Sequence, residues 1–344
     1  MRAHNNIKEK LEKAGVKLPE RVVQRKLKRE IMLWMEREEI IVLTGARQTG
    51  KSVLLYQLIY DYLIPRTKNI YYFNLDIPHH IDFISDIDRL INLITESRGK
   101  VYLFIDEIQR LKEPGLFLKG LYDLHLPVKI VVSGSSSLEI KSKIHEALTG
   151  RKILFHLNPF DFEELSWVLF PGRTFADVAR NTTDFQKVLC HYLAYGGYPA
   201  VAMEKNEKMK LRLLEEIFQS YLDKDIKALL NVENENAFRN LIRILSSQIG
   251  SLMNKDELSN TLGIHKNTLD NYLFYLEQTF VLDFVRPFYR NPRKELLKNP
   301  KVYFRDLGMR NYTIGSFGDF EFRPDKGSLF ENFSYLCLRE KLSP

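Results

Sequence analysis

Five short apolar runs punctuate the first half of the chain, at residues 40–44, 70–75, 101–105, 128–133 and 153–157. Each is nearly continuous, rich in β-branched or aromatic residues and of strand length. That is the pattern of strands covered on both faces. Helix-prone stretches separate the runs. Strands alternating with helices predict a parallel sheet with crossover helices, an α/β unit that ends near Pro159. Ahead of it, residues 21–39 place Val22, Leu27, Ile31, Trp34 and Met35 at roughly helical intervals, with Lys and Arg between them. This predicts an amphipathic helix leading into the first strand, its basic residues forming a solvated face.

The second half has a different rhythm. Residues 160–235 read as helical, interrupted by Pro171-Gly172 and by Gly196-Gly197-Tyr198-Pro199. A third unit begins near Ala237 with a helix over 237–249. Asn254, with Glu257 three residues on, has the form of a capping box and opens a short helix that ends at Gly263. A further helix is predicted over 265–279, with Leu269, Tyr272, Leu273 and Leu276 on one stripe. Two strand-like runs follow, 281–289 and 301–305, joined by a basic segment. Three helices and a β-wing of this kind contain a helix-turn-helix around Gly263. His265, Lys266, Asn267, Asp270 and Asn271 lie off the apolar stripe and are candidates to face a DNA groove. Arg290, Arg293, Lys294, Lys298 and Lys301, against the single acid Glu295, are candidates to contact phosphates. The competing reading is a packing or protein-interaction module with a solvated basic loop.

Composition narrows the class. The 344 residues are enough for two or three domains, and 44% apolar with 28% charged residues is ordinary globular composition. A formal net charge of +7 permits a polyanionic partner without requiring one. Cys190 and Cys337 are far apart and outside any metal-ligand spacing, which argues against a disulfide framework or structural zinc. The adjacent pair His79-His80 has no Cys or His partner nearby in sequence and reads as loop. Without an apolar run of membrane-spanning length or a signal-peptide core, the expected location is the cytoplasm.

The chemistry is concentrated after the first strand. Gly45-Ala46-Arg47-Gln48-Thr49-Gly50-Lys51-Ser52 matches the phosphate-binding P-loop pattern, with an apolar strand before it and an apolar helical stretch from Val53 after it. Residues 45–53 are the candidate nucleotide-binding segment. Gly45 and Gly50 let backbone wrap a phosphate without Cβ clashes. Successive N–H groups and the helix start face the anion. Lys51 is placed to bridge the β- and γ-phosphates of ATP, and Ser52 to take one Mg²⁺ position.

The run 101–105 ends in Asp106-Glu107. Two acids at the tip of a buried strand are costly unless they meet a cation. Asp106 is a candidate to hold Mg²⁺ through water, and Glu107 to polarise an attacking water. Ser133, at the tip of the run 128–133, is the first candidate to sense the γ-phosphate; Ser135 is the second, and Ser136 or Ser137 could cap a helix over 138–148. Arg151 follows that helix. It reads either as an arginine finger, completing a neighbouring subunit's site, or as a cation that serves the helix end.

In this order, GARQTGKS, FIDEIQ, VVSGSSS, LTGRK, LNPFDFEEL, GGYP, PKVYFRDLGMRN and GSLFENFSYLCLREKL resemble the prokaryotic AAA-type ATP-binding protein family, related to origin-recognition and signal-transducing ATPases. The resemblance spans residues 20–344. It implies a P-loop core with strand order 5-1-4-3-2, a small helical lid, a winged helix and a restriction-nuclease-like domain. It also implies an arginine-finger-like position for Arg151. The expected organisation is residues 1–159 as N-terminal helix and ATPase core, 160–236 as lid, 237–315 as winged helix, and 316–344 as the start of a nuclease-like domain. Glu331 matches the acid on that domain's first helix, but its partners are absent, so the chain is expected to be truncated there or to have lost the domain. Nuclease activity is not carried over. The expected function is a Mg-dependent ATPase that couples nucleotide state to the winged helix, with duplex DNA contacted through residues 265–301 and a homo-oligomer formed through Arg151. The alternative is a slow nucleotide-dependent switch whose winged helix contacts protein.

Overall fold

The computed structural model describes residues 11–12, 15–134, 147–227, 234–291 and 298–342. The second-choice sensor Ser135, the cap candidates Ser136 and Ser137, nearly all of the helix expected over 138–148, and the wing residues Arg293, Lys294 and Glu295 lie outside them. The chain divides into two compact units, residues 1–45 with 50–157, and residues 46–49 with 158–344.

The first unit is built on a five-stranded, all-parallel sheet. Its strands are β1 (Ile40–Thr44), β2 (Ile70–Asn74), β3 (Val101–Asp106), β4 (Val128–Ser133) and β5 (Lys152–His156). Their spatial order is β2-β3-β4-β1-β5, which is the order the resemblance implies. Burial explains why the apolar runs were nearly continuous: β1 and β3 are buried at every residue. Alternate side chains feed two apolar clusters, one on each face. Ile41 and Leu43 join Leu54, Leu55 and Phe104 on one side, while Ile40 and Val42 join Leu103, Ile105 and Val132 on the other.

The crossovers are helical. Before β1 comes α1 (Lys26–Met32); α2 (Lys51–Gln57) runs on as a π-helical segment, Leu58–Leu63, and α3 (Pro78–Ser85), α4 (Ile87–Thr95) and α5 (Pro114–Asp123) follow. Two expectations change. The helix predicted over 21–39 is regular only at Lys26–Met32. Ahead of it the β-branched Val22 and Val23 are non-helical, and the Val23 carbonyl accepts a hydrogen bond from Gln57 Nε2 at 2.9 Å. His79 and His80 are helical rather than loop, because Pro78 opens α3 and His80 Nδ1 accepts from the Asn74 N–H at 3.0 Å.

The second unit begins with five helices: α6 (Phe162–Leu169), α7 (Phe175–Arg180), α8 (Thr182–Tyr195), α9 (Pro199–Met203) and α10 (Glu207–Ser220). Three more follow, α11 (Glu235–Ser247), α12 (Lys255–Leu262) and α13 (Lys266–Gln278). Asn254 caps α12 by accepting from the N–H groups of Asp256 and Glu257, and Gly263 closes it in the left-handed region. An antiparallel pair comes next, β6 (Leu282–Val285) with β7 (Lys301–Phe304), and Leu252 adds a bridge to Lys301. The strand β6 is shorter than expected because Pro287 cannot continue the ladder. Among the described residues α14 (Leu307–Ile314) and α15 (Lys326–Leu342) follow, and a π-helical segment, Tyr221–Lys227, continues α10.

A buried polar network fastens this unit. Arg310 donates to the Ser246 carbonyl at 2.8 Å, to Asn311 Oδ1 at 3.2 Å and to Asp325. Asn311 Nδ2 donates to the carbonyls of Leu193 and Ala194, at the end of α8. Arg323 donates to Asn311, Asp325 and the Ser316 carbonyl. Asp306 accepts from the N–H groups of Gly197 at 2.7 Å and Met309 at 2.9 Å. Gly197 must be glycine because a Cβ there would overlap the Phe160 carbonyl. Glu331, on α15, accepts from Lys301 Nζ at 2.8 Å and Tyr303 Oη at 2.7 Å, so its carboxylate braces the β6–β7 pair.

Candidate nucleotide site

Strand order and register bring the candidate residues to one edge of the sheet. The backbone leaves β1 at Thr44 into the glycine-rich loop. Leu43 pairs with Ser133, and Asn74 pairs with Asp106. Because β4 lies between β1 and β3, Ser133 and Asp106 stand at adjacent strand tips on the loop's side. The carboxyl edge of a parallel sheet is where ligands of α/β folds bind. The loop's base is held by β-type bonds: the Gly134 N–H donates to the Leu43 carbonyl at 3.1 Å, and the Leu157 N–H to the Thr44 carbonyl at 2.8 Å.

The loop itself has anion-binding geometry. Gly50 caps α2 at φ 92°, a left-handed conformation that favours glycine, and Gln48 is also left-handed at φ 61°. Thr49 Oγ1 donates to the Ala46 carbonyl at 2.9 Å, tying the loop across its middle. Lys51 is the first residue of α2 and is buried. Its ammonium folds back over the loop and donates to the Gly45 carbonyl at 3.0 Å. Ser52 and Val53 follow on the same helix, half-buried.

Asp106 is buried and receives three donors. The Tyr72 hydroxyl donates to Oδ2 at 2.7 Å, while Ser133 Oγ and the Glu107 N–H, at 3.1 Å, both reach Oδ1. Ser133 is fully buried. Its hydroxyl serves Asp106, which differs from the direct γ-phosphate contact expected of it. Burial and the Asp106 charge push the Tyr72 phenol far above its ordinary range, so Tyr72 remains a neutral donor. Tyr72 in turn meets Tyr56 Oη at 3.3 Å. Glu107 sits at φ 58° and ψ 45°, left-handed for a side chain that disfavours it. Its carboxylate accepts from Gln109 Nε2.

Sequence reasoning missed Tyr72 and Gln109. The Tyr72 hydroxyl sits on a buried strand whose aromatic residues read simply as core. Only the pairing of β2 with β3 brings it to Asp106.

Arg151 is not part of this cluster. Its carbonyl accepts from the Ile40 N–H at 2.9 Å, at the amino ends of β1 and β5. Five strand residues, roughly 16 Å at about 3.3 Å each, separate that edge from the loop. Its guanidinium instead pairs with Asp123 at 3.0 Å. Arg151 thus stands at the far end of the strands from its own loop.

In the second unit, the candidate nucleic-acid residues are partly engaged. Lys266 pairs with Asp256 at 2.7 Å, Asp270 with Lys255 at 2.5 Å, and Lys301 with Glu331. His265, Asn267, Asn271, Arg290 and Lys298 are exposed. Among the described residues no group of three or more His, Cys, Asp or Glu side chains could hold a metal, and no helix is long and apolar enough to cross a membrane.

Comparison with known proteins agrees with this architecture. Residues 37–166 match a family model described as "AAA domain", and residues 186–319 match one described as "Domain of unknown function (DUF8612)". An uncharacterized protein of Haemophilus influenzae is 28% identical over 301 residues, covering 84% of this chain and 72% of its own length. An uncharacterized protein of Methanocaldococcus jannaschii is 23% identical over 325 residues, covering 92% of this chain and 70% of its own. Among solved structures, the Walker-type ATPase of Pyrococcus abyssi superposes with a TM-score of 0.56 at 14% identity, covering 86% of this chain and 97% of that one. That likeness is one of fold.

Proposed function

We propose that the chain is a Mg-dependent ATPase that couples nucleotide state to its C-terminal helices and β-pair, acting together as a winged helix. The observation that carries this reading is the convergence of Lys51, Ser52, Asp106 and Glu107 on one sheet edge around a left-handed glycine loop. The donor set suits ATP and Mg²⁺. The loop offers N–H groups and an ammonium to phosphate, while Ser52 and Asp106 offer hard oxygen ligands. Tyr72 and Ser133 donate to Asp106 and fix its orientation. When bound, Mg²⁺ would supply charge neutralisation between the β- and γ-phosphates.

The chain's own residues would do the rest. Backbone N–H groups of residues 45–53 bind the phosphates. Lys51 transfers its hydrogen bond from the Gly45 carbonyl to phosphate oxygen and offsets charge developing on it. Glu107 accepts a proton from water as the water oxygen attacks the γ-phosphorus. The bond to the β–γ bridging oxygen breaks, giving ADP and inorganic phosphate. Ser133 acts through Asp106, as a positioning residue. Arg151 would serve a neighbouring subunit's site in trans, consistent with its place on the opposite edge.

The alternative reading is a slow switch whose winged helix contacts protein. The ion pairs of Lys266 and Asp270 favour it, since they occupy groups a DNA groove would need. The test is turnover of wild type and Glu107→Gln across protein concentrations, with and without duplex DNA. Glu107→Gln should keep ATP affinity and lose hydrolysis by about a hundredfold or more, as expected for a lost water-orienting carboxylate. Hydrolysis at the wild-type rate would overturn the assignment. Stimulation by DNA favours the first reading. Slow turnover indifferent to DNA favours the switch.

A further inference from the structure

Lys210, on α10, is only 6% exposed, yet its ammonium has no counter-ion in contact. Its Nζ lies 3.2 Å from His191 Nδ1 and 4.6 Å from the centroid of the Tyr195 ring. Among the described residues no carboxylate oxygen comes within 4.0 Å of it. An ammonium can only donate, so His191 Nδ1 is the accepting nitrogen and the ring is neutral. Burial and the Lys210 charge hold that imidazole down to about 3, so it gains no positive charge near neutrality and offers no negative one. Glu207 and Glu204 act on the charge from beyond contact distance, but burial outweighs them and pushes the Lys210 ammonium below its ordinary range, so the cation is only partly compensated.

Lys210 does not stand in close-packed interior. It lines an open cleft of about 480 Å³ within the second unit, a size typical of small-molecule sites. Tyr195 and Phe317 stack at 6.0 Å with their planes 20° apart, and Phe320 adds apolar surface. Arg323 also reaches the lining, but its guanidinium is taken by Asp325, Asn311 and the Ser316 carbonyl. Lys205 also borders the cleft, but it is exposed to solvent, so Lys210 is the buried cation with capacity to spare. Two exposed acids, Glu207 and Asp319, also border the cleft. They repel a multiply charged anion more strongly than a single carboxylate.

We propose that this cleft binds a small monocarboxylate with a flat apolar body, its carboxylate paired with Lys210 and its body against the Tyr195–Phe317 wall. This would be a second ligand site, separate from the nucleotide loop. Both walls belong to elements held by the buried network, since Asn311 grips the end of the helix that carries His191 and Tyr195. Occupancy would thus stabilise the folded second unit by mass action.

The probe is benzoate, titrated by calorimetry and by thermal melting into the full 344-residue chain. Saturable binding and a concentration-dependent rise in melting temperature are expected. Benzamide, neutral and of the same size, should bind about tenfold more weakly or worse, and phenyl phosphate no tighter than benzoate. Lys210→Met should weaken benzoate about tenfold or more while leaving ATP binding intact, and Lys51→Ala should leave benzoate affinity unchanged. Absence of saturable benzoate binding at millimolar concentrations would overturn the proposal. So would equal affinity for benzamide, tighter phenyl phosphate binding, or loss of benzoate binding in Lys51→Ala. If Lys210→Met fails to fold, the benzoate–benzamide comparison on wild type still decides.

Discussion

The loop edge of the sheet and the network around Arg310 are both dense in polar residues, both buried, and both conspicuous in the sequence. They differ in what those residues hold. Around Arg310 and Arg323, guanidinium N–H groups meet carbonyls, Asn311 or Asp325, and Asn311 spends its own amide on the Leu193 and Ala194 carbonyls, so the network ties together helices far apart in sequence. At the loop edge, the Lys51 ammonium donates to a carbonyl of its own loop, and Asp106 accepts from the neighbouring strand tips. The first network fastens elements to one another. The second shapes one edge of the sheet around a glycine-rich loop. Motif density alone does not separate the two; what the donors reach does.

The sharpest way to break this contrast is to remove the charge on each side. Lys51→Ala should lower ATP turnover on the order of a thousandfold, about 4 kcal/mol of transition-state stabilisation. Its urea midpoint should move far less than that of Arg310→Ala, because Lys51 donates to a carbonyl of its own loop and fastens no distant elements together. Phosphate release and chemical denaturation on the same sample check both halves. Arg310→Ala should do the opposite. It takes the buried donor from the Ser246 carbonyl, leaves Asp325 with Arg323 alone and opens a void where a fully buried side chain stood, and should cost about 3–5 kcal/mol of stability, read from the urea midpoint. A Lys51→Ala protein as destabilised as Arg310→Ala would erase the distinction.

A finer probe is Tyr72→Phe, which takes one donor from buried Asp106. The expected cost is about 1–2 kcal/mol in stability, together with a several-fold loss of turnover, because Asp106 loses its orientation. Unchanged turnover with lost stability would assign Tyr72 to architecture alone.

The smallest effect concerns His191, which lies in the second unit beside the buried Lys210 ammonium. Its folded pKa is held down to about 3 by burial and by Lys210, below the ordinary 6.5. Below pH 6.5 the unfolded chain therefore takes a proton that the folded chain refuses. The stability this group contributes is fully present above that pH and drains away as pH falls toward 3. Between pH 7.5 and 5.5 the loss should be about 1 kcal/mol, absent in His191→Gln, as measured by urea midpoints at the two pH values.

The sheet was legible because β1 and β4 are apolar runs with sharp polar ends, and their structural bounds match the pattern residue for residue. The loop was legible because its chemistry depends on consecutive residues. What stayed hidden depends on which strands become neighbours. Tyr72 reads as core until β2 is set beside β3, and the Arg151–Asp123 pair joins residues that no motif connects. The helix over 21–39 was over-read because periodicity does not register that Val23 spends its carbonyl on Gln57. Lys210 carried no signal at all, since a lysine on an amphipathic helix normally faces water.

The strand order has a consequence in time. In the finished sheet, Ile41 is flanked by Val131 and Ile153, so the strand that launches the loop has both neighbours about ninety to a hundred and ten residues downstream. At ordinary rates of translation that interval lasts on the order of ten seconds. Throughout it, a strand apolar at every position but Thr44 has left the ribosome with nothing to pair with. Its native partners arrive only after long chain closures, which fold slowly. The nucleotide loop, which follows that strand directly, is thus among the last parts of its unit to take shape, and the nascent chain in the meantime presents Ile40–Thr44 as a natural client for chaperones.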